Sequence, residues 1–302
     1  MIATGIDLGG TKIEAQVFDA SWQRVAANRI ATPATYNGLV QAMAAQIAWA
    51  TAQAGDVPVG ICAAGLVNPA NGLALTANLP ASGRPFPADI ATAAGCPVTY
   101  INDCRAQALS EAMFGAARGF PVAMALNLGT GIAGGIVVDG RLLHSPSGTG
   151  GEFGHFPISA GPIVKHNLPV LPCGCGRTGC TETLIAGPGL VRLARLKTGR
   201  DLTAQAIAEG RHADPDLGAV WAIWLELVTD LLITLTLTAD PGCIVLAGGL
   251  AQVDGLLPEL TASLQAAQMA GYAIPELRLA EGGDATGARG AAYAAWRGAG
   301  HG

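Results

Sequence analysis

The chain has 302 residues and a formal net charge of −5; half of its residues are hydrophobic and only 13% are charged. This composition predicts a well-filled core and argues against a disordered chain. Because there is no basic footprint, nucleic acid is not expected as the main partner.

The first predicted element is a short apolar strand, a glycine turn and an alternating strand. The strand ends near Asp7, the turn is Gly-Gly-Thr-Lys at residues 9–12, and the alternation follows at 13–18. Residues 122–138 repeat this pattern around a second glycine turn. We interpret the two copies as an internal duplication of related α/β halves. A chance resemblance of two glycine hairpins is the alternative.

The other periodic segments alternate between strands and helices. Strands are predicted at 58–64, 98–101 and 243–246, and helices at 38–54, 102–114, 189–197, 217–239 and 287–297. This alternation predicts an α/β architecture.

The most apolar stretch, residues 217–239, is long enough to suggest a membrane span. Glu226 and Asp230 lie within it, and two carboxylates in mid-span would be costly in lipid. We therefore predict a buried core helix and no membrane partner. The N-terminus has no basic region leading into an apolar one, so we expect no secretion signal and a cytoplasmic location.

Glycine after a strand lets backbone N–H groups approach a phosphate. The two related turns and a third, after the strand at 243–246, predict a nucleotide site in a cleft between the halves. No G-x-x-x-x-G-K-[ST] run is present, which excludes a P-loop. Asp7 is either a ligand of phosphate-bound Mg²⁺ through water or a turn cap. The predicted nucleotide contacts are Asp7, Gly9, Gly10, Thr11, Lys12, Gly129, Thr130, Gly131, Gly134, Gly248 and Gly249.

Asp103 follows a predicted strand, at the edge where open α/β sheets bind ligands. It could cap the next helix. In a kinase it would instead be the general base that accepts the proton of the attacking hydroxyl. The local sequence leaves both interpretations open.

Three cysteines lie within eight residues, at Cys173, Cys175 and Cys180, and His155 precedes them by eighteen positions. Three cysteines and one histidine form a closed tetrahedral set, which is typical of structural zinc. A cytosolic chain has little use for a Cys-x-Cys disulfide. The spacing therefore predicts a structural Zn²⁺ site.

Two carboxylates flank this cluster. Glu152 lies three residues before His155, and Glu182 lies two residues after Cys180. Carboxylates accept hydrogen bonds from hydroxyl groups, so both could bind a polyol. Support of the zinc loop is the alternative role.

Together these motifs resemble the ROK family of bacterial sugar kinases, and the resemblance covers nearly the whole chain. The residues that carry it are 5–12, 102–103, 128–131, 151–155 and 173–180. It implies the actin/hexokinase-like ATPase fold, ATP with Mg²⁺, and Asp103 as the general base. It also implies a homodimer.

Residues 75–89 resemble bacterial N-acetylglucosamine kinases, which implies phosphorylation of N-acetyl-D-glucosamine at its 6-hydroxyl. A kinase for glucose, fructose or N-acetylmannosamine, or a non-catalytic sugar sensor, is the alternative. The sugar contacts implied by the resemblance are Gly65, Asn78, Asn102, Asp103, Glu152, His155 and Glu182.

We predict two domains, the smaller from residues 1–118 and 286–302, the larger from residues 119–285. ROK repressors carry an N-terminal helix-turn-helix segment. Because the first predicted strand begins within five residues of Met1, we expect no such segment here. Arg105 departs from the family pattern, in which asparagine is common, and we expect it to alter the rim of the sugar site.

Overall fold

A computed structural model describes residues 1–283 and 286–301 of the chain. The chain divides into two compact units. The first contains Met1–Gly119, Gly135–Gly151 and Glu281–Gly302, and the second contains Phe120–Gly134 and Glu152–Ala280. Residues 135–151 thus group with the first unit, whereas we assigned them to the larger domain. The domain boundaries predicted from the sequence remain a prediction. One of them, at residue 285, lies outside the described residues.

Within the described residues the chain forms twelve strands and ten α-helices. The strands are β1 (Ala3–Leu8), β2 (Lys12–Phe18), β3 (Arg24–Ala31), β4 (Val59–Ala63), β5 (Leu66–Val67), β6 (Ala74–Leu75), β7 (Thr99–Asn102), β8 (Val122–Leu128), β9 (Ile132–Val138), β10 (Arg141–Leu142), β11 (Cys243–Ala247) and β12 (Glu276–Leu279). The helices are α1 (Tyr36–Ala54), α2 (Phe86–Ala94), α3 (Asp103–Phe114), α4 (Ala160–Lys165), α5 (Glu182–Ile185), α6 (Gly187–Thr198), α7 (Ala204–Gly210), α8 (Pro215–Ala239), α9 (Leu256–Ala267) and α10 (Thr286–Gly298). Every strand and helix that the periodicity predicted is present, with ends shifted by at most two residues.

Two five-stranded sheets have matching topologies. The first has the order β3-β2-β1-β4-β7 and the second has the order β10-β9-β8-β11-β12. In the first, β2 runs antiparallel to its neighbours β1 and β3, while β1, β4 and β7 run parallel. In the second, β9 and β10 are antiparallel, while β8, β11 and β12 are parallel. This strand-by-strand correspondence confirms the predicted duplication.

Helix α10 packs onto β1 and β4 in the first unit at positions that require glycine. A Cβ atom on Gly5 would lie 1.8 Å from the carbonyl oxygen of Ala288, and one on Gly60 would lie 1.9 Å from that of Ala291. A side chain at either position would have to push the helix away. The glycines therefore hold the start of α10 close to the sheet edge where Asp7 lies.

Glu111, on α3, is fully buried and fixes the segment that leads into α10. Its carboxylate accepts hydrogen bonds from the backbone N–H groups of Glu281 at 3.1 Å, Gly282 at 2.8 Å and Ala116 at 3.0 Å. Three backbone donors satisfy the buried carboxylate, which would otherwise be costly.

Helix α8 is the core helix of the second unit. By length and composition it is the one helix among the described residues that could cross a membrane, but 56% of its most apolar window is buried. Its buried face includes Trp224, Leu231 and Leu235. Glu226 accepts hydrogen bonds from Lys165 of α4 at 2.9 and 3.0 Å. The helix thus matches the predicted core helix.

Candidate functional site

The predicted residues 9–12 form the turn between β1 and β2 in the first unit. The N–H of Gly9 donates to the carbonyl of Lys12 at 2.9 Å, which closes the turn. A Cβ atom on Gly10 would lie 3.3 Å from Asn78, a predicted sugar contact. The turn and the segment that carries Asn78 are therefore neighbours. Gly10, Thr11 and Lys12 are exposed, as a phosphate-binding turn requires.

Asp7 lies near the carboxyl end of β1, beside Cys62 of the adjacent strand β4. The Cys62 thiol lies 3.7 Å from Oδ1 of Asp7. Burial raises the pKa of the Asp7 carboxyl, and the negative charge of Asp103 raises it further. A cation nearby would offset both effects, so the environment of Asp7 fits a residue that faces Mg²⁺.

Asn102, rather than Asp103, caps helix α3. Its Oδ1 accepts hydrogen bonds from the N–H groups of Cys104 at 2.9 Å and Arg105 at 3.2 Å. Its Nδ2 donates to the carbonyl of Gly65 at 3.1 Å. Asp103 is the first residue of the helix, and its Oδ1 accepts a hydrogen bond from Cys104 at 2.8 Å. The capping role left open for Asp103 therefore belongs to its neighbour.

In the second unit, the turn at residues 129–131 is tied to the start of α6. Gly129 donates to Gly131 at 3.2 Å, and Gly187 donates to the carbonyl of Gly129 at 2.8 Å. Gly248 has a φ of +86°, and a Cβ atom there would lie 2.5 Å from the carbonyl oxygen of Leu128. The strand-glycine elements after β8 and β11 are thus in contact.

Gly134, the remaining predicted nucleotide contact, lies within β9 and not in the turn. A Cβ atom there would lie 1.9 Å from the carbonyl oxygen of Ala125 and 2.7 Å from Phe153. Close packing alone therefore requires glycine at this position.

Beside this turn lies a cavity of about 820 Å³ in the second unit. Three of the predicted nucleotide contacts, Gly129, Thr130 and Gly249, line it. The other lining residues, which sequence reasoning missed, include Gly187, Ala204, Gln205, Glu209, Arg211 and Asp254. They come from three separate segments, within 187–188, 204–211 and 249–254, and form no local motif, although the Gly-Pro-Gly run at 187–189 was a signal of a turn. The volume is within the range of small-molecule sites.

Arg211 joins two walls of this cavity. Its guanidinium donates to the carbonyls of Ala208, at the end of α7, and of Asp254, before α9. It also lies 3.3 Å from the carboxylate of Glu259 and stacks over the ring of Trp221 at 5.0 Å. Because its side chain is only 7% exposed, these contacts act in a sheltered environment.

The predicted zinc ligands converge in the second unit. One donor atom from each of His155, Cys173, Cys175 and Cys180 lies within 4.8 Å of all the others. The Sγ atoms of Cys175 and Cys180 are 3.6 Å apart, as are Cys173 Sγ and His155 Nδ1. A tetrahedral zinc with bonds of about 2.3 Å to sulfur and about 2.0 Å to nitrogen would separate its ligands by about 3.5–3.8 Å. The donor set therefore fits zinc in both type and spacing.

Glu182 and Glu152 both lie beside His155. Oε1 of Glu182 is 3.0 Å from Cys173 Sγ and 3.4 Å from His155 Nδ1. Oε2 of Glu152 is 3.8 Å from the other ring nitrogen, Nε2, because a short helical turn places the two side chains on one side. These contacts fit the supporting role for both glutamates, and their role as sugar contacts stays a prediction.

The predicted sugar contacts are distributed over both units. Gly65, Asn78, Asn102 and Asp103 lie in the first, and Glu152, His155 and Glu182 lie in the second. Within the first unit, Gly65 and Asn102 are in direct contact. Within the second unit, His155 contacts both glutamates.

The ROK family model matches residues 3–297 of the chain. An N-acetylgalactosamine kinase, AgaK, from Shewanella sp. is 37% identical over 292 residues, which cover 95% of this chain and 94% of that protein. An N-acetyl-D-glucosamine kinase from Pectobacterium carotovorum is 36% identical over 294 residues, with 95% and 97% coverage.

Solved structures of the family are similar over the whole length. The ROK hexokinase from Thermus thermophilus has a TM-score of 0.88 and 32% identity, with 99% of each chain covered. A ROK glucokinase from Streptomyces griseus, solved with glucose and AMPPNP, has a TM-score of 0.75 and 29% identity, with 98% and 100% coverage. The chain is an ATP-dependent sugar kinase with the hexokinase-like fold. It belongs to the ROK family.

Proposed function

We propose that this kinase transfers the γ-phosphoryl group of ATP to the 6-hydroxyl of N-acetyl-D-glucosamine, with Asp103 as the general base. The observation that carries the proposal is the position of Asp103 at the start of α3, where Asn102 has already supplied the helix cap. The residue is thus not needed as a cap. The amide of Cys104 holds one carboxylate oxygen at 2.8 Å, which orients the side chain.

In the proposed reaction the carboxylate of Asp103 accepts the hydroxyl proton as the sugar oxygen forms its bond to phosphorus. General-base help of this kind contributes about 10²–10⁴-fold to the rate. Backbone N–H groups of the glycine turns would stabilise the charge of the transferring phosphoryl group. Mg²⁺, which Asp7 would hold through water, neutralises phosphate charge when bound.

The names of the two relatives with 36–37% identity favour an N-acetylated hexosamine over glucose or fructose, since one is an N-acetylgalactosamine kinase and the other an N-acetyl-D-glucosamine kinase. The Shewanella relative makes N-acetyl-D-galactosamine the second candidate. The two sugars differ only in the orientation of the 4-hydroxyl. A site that hydrogen-bonds this hydroxyl would discriminate strongly between the two sugars, because the wrong epimer would leave the protein group that binds the 4-hydroxyl without a hydrogen bond.

The test is ATP-dependent phosphorylation of N-acetylated and plain hexoses, with the product identified by phosphorus NMR and Asp103→Asn assayed beside the parent. We expect kcat to fall by about 10²–10⁴-fold while calorimetry still detects sugar binding. Asp56→Asn, which removes an exposed carboxylate of the same unit, is the matched control and should keep full activity. Turnover of Asp103→Asn at the parental rate would rule out Asp103 as the base.

We further propose that the four converging ligands hold a structural Zn²⁺. The closed donor set and its spacing support this assignment, because catalytic zinc sites keep one position open. The metal would fix the segment that carries Glu152, His155 and Glu182 and would take no part in phosphoryl transfer. From the family resemblance we also propose a cytoplasmic homodimer, whose stoichiometry sedimentation analysis would test.

A further inference from the structure

Arg105 binds two backbone carbonyls of a single loop. Its Nε donates to the carbonyl of Gly150 at 2.7 Å, and its Nη2 donates to that of Gly148. A planar guanidinium presents these donors in a fixed geometry that a lysine ammonium does not reproduce. The side chain is therefore a clamp between the start of α3 and residues 145–151, which we call the clamp loop.

Further hydrogen bonds of the clamp loop join residues within the loop itself. The carbonyl of Ser145 accepts a hydrogen bond from Gly148 at 3.0 Å, and its Oγ accepts one from Gly150 at 2.9 Å. Gly148 has a φ of +76°, and a Cβ atom there would lie 3.0 Å from the carbonyl oxygen of Val67. The loop thus lies against β5, two residues beyond Gly65.

The position of Arg105 connects this loop to the proposed sugar site. Arg105 lies two residues after Asp103, and the N–H of Arg105 is itself held by Asn102 at 3.2 Å. At its other end the loop runs directly into Glu152, a predicted sugar contact. Arg105 thus joins the segment just after Asp103 to the segment just before Glu152.

We propose that Arg105 is a positioning residue for the sugar: by clamping residues 145–151 onto the start of α3, it sets the path of the chain into Glu152. This inference rests on the proposed function, because it takes the residues next to the clamp to bind the sugar and not the nucleotide. Helix α3 does not depend on the clamp. Its cap is Asn102, and a Cβ atom on Gly135 of β9 would lie only 2.7 Å from Ala108, so the helix is closely packed on that strand.

Hydrogen exchange followed by mass spectrometry tests the clamp without reference to activity. In Arg105→Ala, amides of residues 145–151 should exchange faster than in the parent, while those of α3 keep their protection. Arg105→Lys should be intermediate, because it can keep only part of the interaction. Arg118→Ala, which removes an exposed arginine of the same unit, should leave the loop unchanged. Parental exchange in both Arg105 variants would show that there is no clamp.

Kinetics and calorimetry test whether the Arg105 clamp positions the sugar. We expect Arg105→Ala to raise the KM and Kd for N-acetyl-D-glucosamine about tenfold or more, as for a lost hydrogen bond to a charged group. The KM for ATP should be unchanged, and Arg105→Lys should recover part of the sugar affinity. Faster loop exchange with parental sugar affinity would overturn the positioning role. Calorimetry needs no turnover, so the sugar affinities of parent and variant can be compared even if the parent does not phosphorylate this sugar. Failure of the parent to phosphorylate it would contradict the proposed function alone, and not the clamp.

Discussion

Asn102 links the start of helix α3 to the carbonyl of Gly65. Its Nδ2 donates to Gly65 at 3.1 Å, while its Oδ1 accepts the N–H groups of Cys104 and Arg105. One buried side chain thus satisfies the helix end and fixes a residue with a φ of +105°. These two roles can be separated by substitution.

We expect Asn102→Ala to lower the free energy of unfolding by about 1 kcal/mol or more, since the helix cap is lost. Asn102→Ser should keep most of the stability, because serine also caps helices, but its shorter side chain would not reach the carbonyl of Gly65. If the Gly65 contact shapes the sugar site, both variants should raise the sugar KM by a similar factor. Urea denaturation and steady-state kinetics measure the two effects. Parental sugar affinity in Asn102→Ser would show that the contact with Gly65 is not required.

Arg211→Lys should weaken nucleotide binding. The guanidinium ties Ala208 to Asp254 across the walls of the cavity, and lysine cannot donate to both carbonyls and Glu259 in the same way. We expect the KM for ATP to rise about tenfold, as for one charged hydrogen bond lost, with the sugar KM unchanged. Arg200→Lys, at a more exposed ion pair, is the control. A parallel rise in both KM values would indicate general damage and not a nucleotide-specific effect.

Gly5→Ala should destabilise the protein strongly. The added methyl group would lie 1.8 Å from the carbonyl oxygen of Ala288, so β1 and α10 would have to separate. Overpacking of this kind costs about 1–3 kcal/mol, and a backbone obstacle places the effect at the upper end. Gly161→Ala is the matched control, because no described atom lies within 4 Å of its added methyl group. Thermal unfolding should show a large decrease in Tm for Gly5→Ala and little change for Gly161→Ala.

The ion pair of Glu226 should make stability depend on pH. Partial burial acts to raise its pKa, but hydrogen bonds from Lys165 and His166 lower the pKa of Glu226 below its ordinary value of 4.5. A depressed pKa contributes stability above pH 4.5, and this contribution is lost as the pH falls through the folded-state value. At pH 7, Glu226→Gln should therefore be less stable than the parent by up to about 1 kcal/mol.

Urea denaturation of Glu226→Gln and parent at several pH values tests this sign. The difference between them should shrink steadily below pH 4.5. Glu209→Gln, which removes an exposed carboxylate of the same unit, should show no such convergence. A gap that widens in acid would contradict the assignment.

The sequence was informative where function depends on adjacent residues. The glycine turns, the cysteine cluster and the duplication are local patterns, and the structure has each of them. The local sequence could not show whether Asn102 or Asp103 caps helix α3, because both residue types are good caps. The answer depends on Asn102 having extended backbone angles and a partner at Gly65, 37 residues away.

The cavity walls could not be predicted for a similar reason. Gln205, Arg211 and Asp254 come together only when α7, α8 and α9 pack, and none lies in a recognisable motif. Of the cysteines outside the cluster, Cys62, Cys104 and Cys243 are buried, whereas Cys96 is only half-buried. It follows Gly95, which ends α2 in a left-handed conformation, so the chain turns at the surface before β7.

The zinc proposal leads to the largest expected effect on stability. Structural zinc in small peptides binds with about 10–16 kcal/mol of apparent free energy, whereas a whole domain is stable by only about 5–15 kcal/mol. Removal of the metal should therefore unfold at least the segment from His155 to Cys180. Elemental analysis of the purified parent should find about one zinc ion per chain.

Cys175→Ser should lose this metal and show a lower Tm, and a strong chelator should have the same effect on the parent. Cys96→Ser, which changes a thiol outside the cluster, should keep both metal and Tm. Circular dichroism and elemental analysis on the same samples separate loss of metal from loss of fold. A parent that is fully folded without metal would contradict the proposal, since the three thiols and His155 would then have to be held at 3.6 Å spacings by the loop alone.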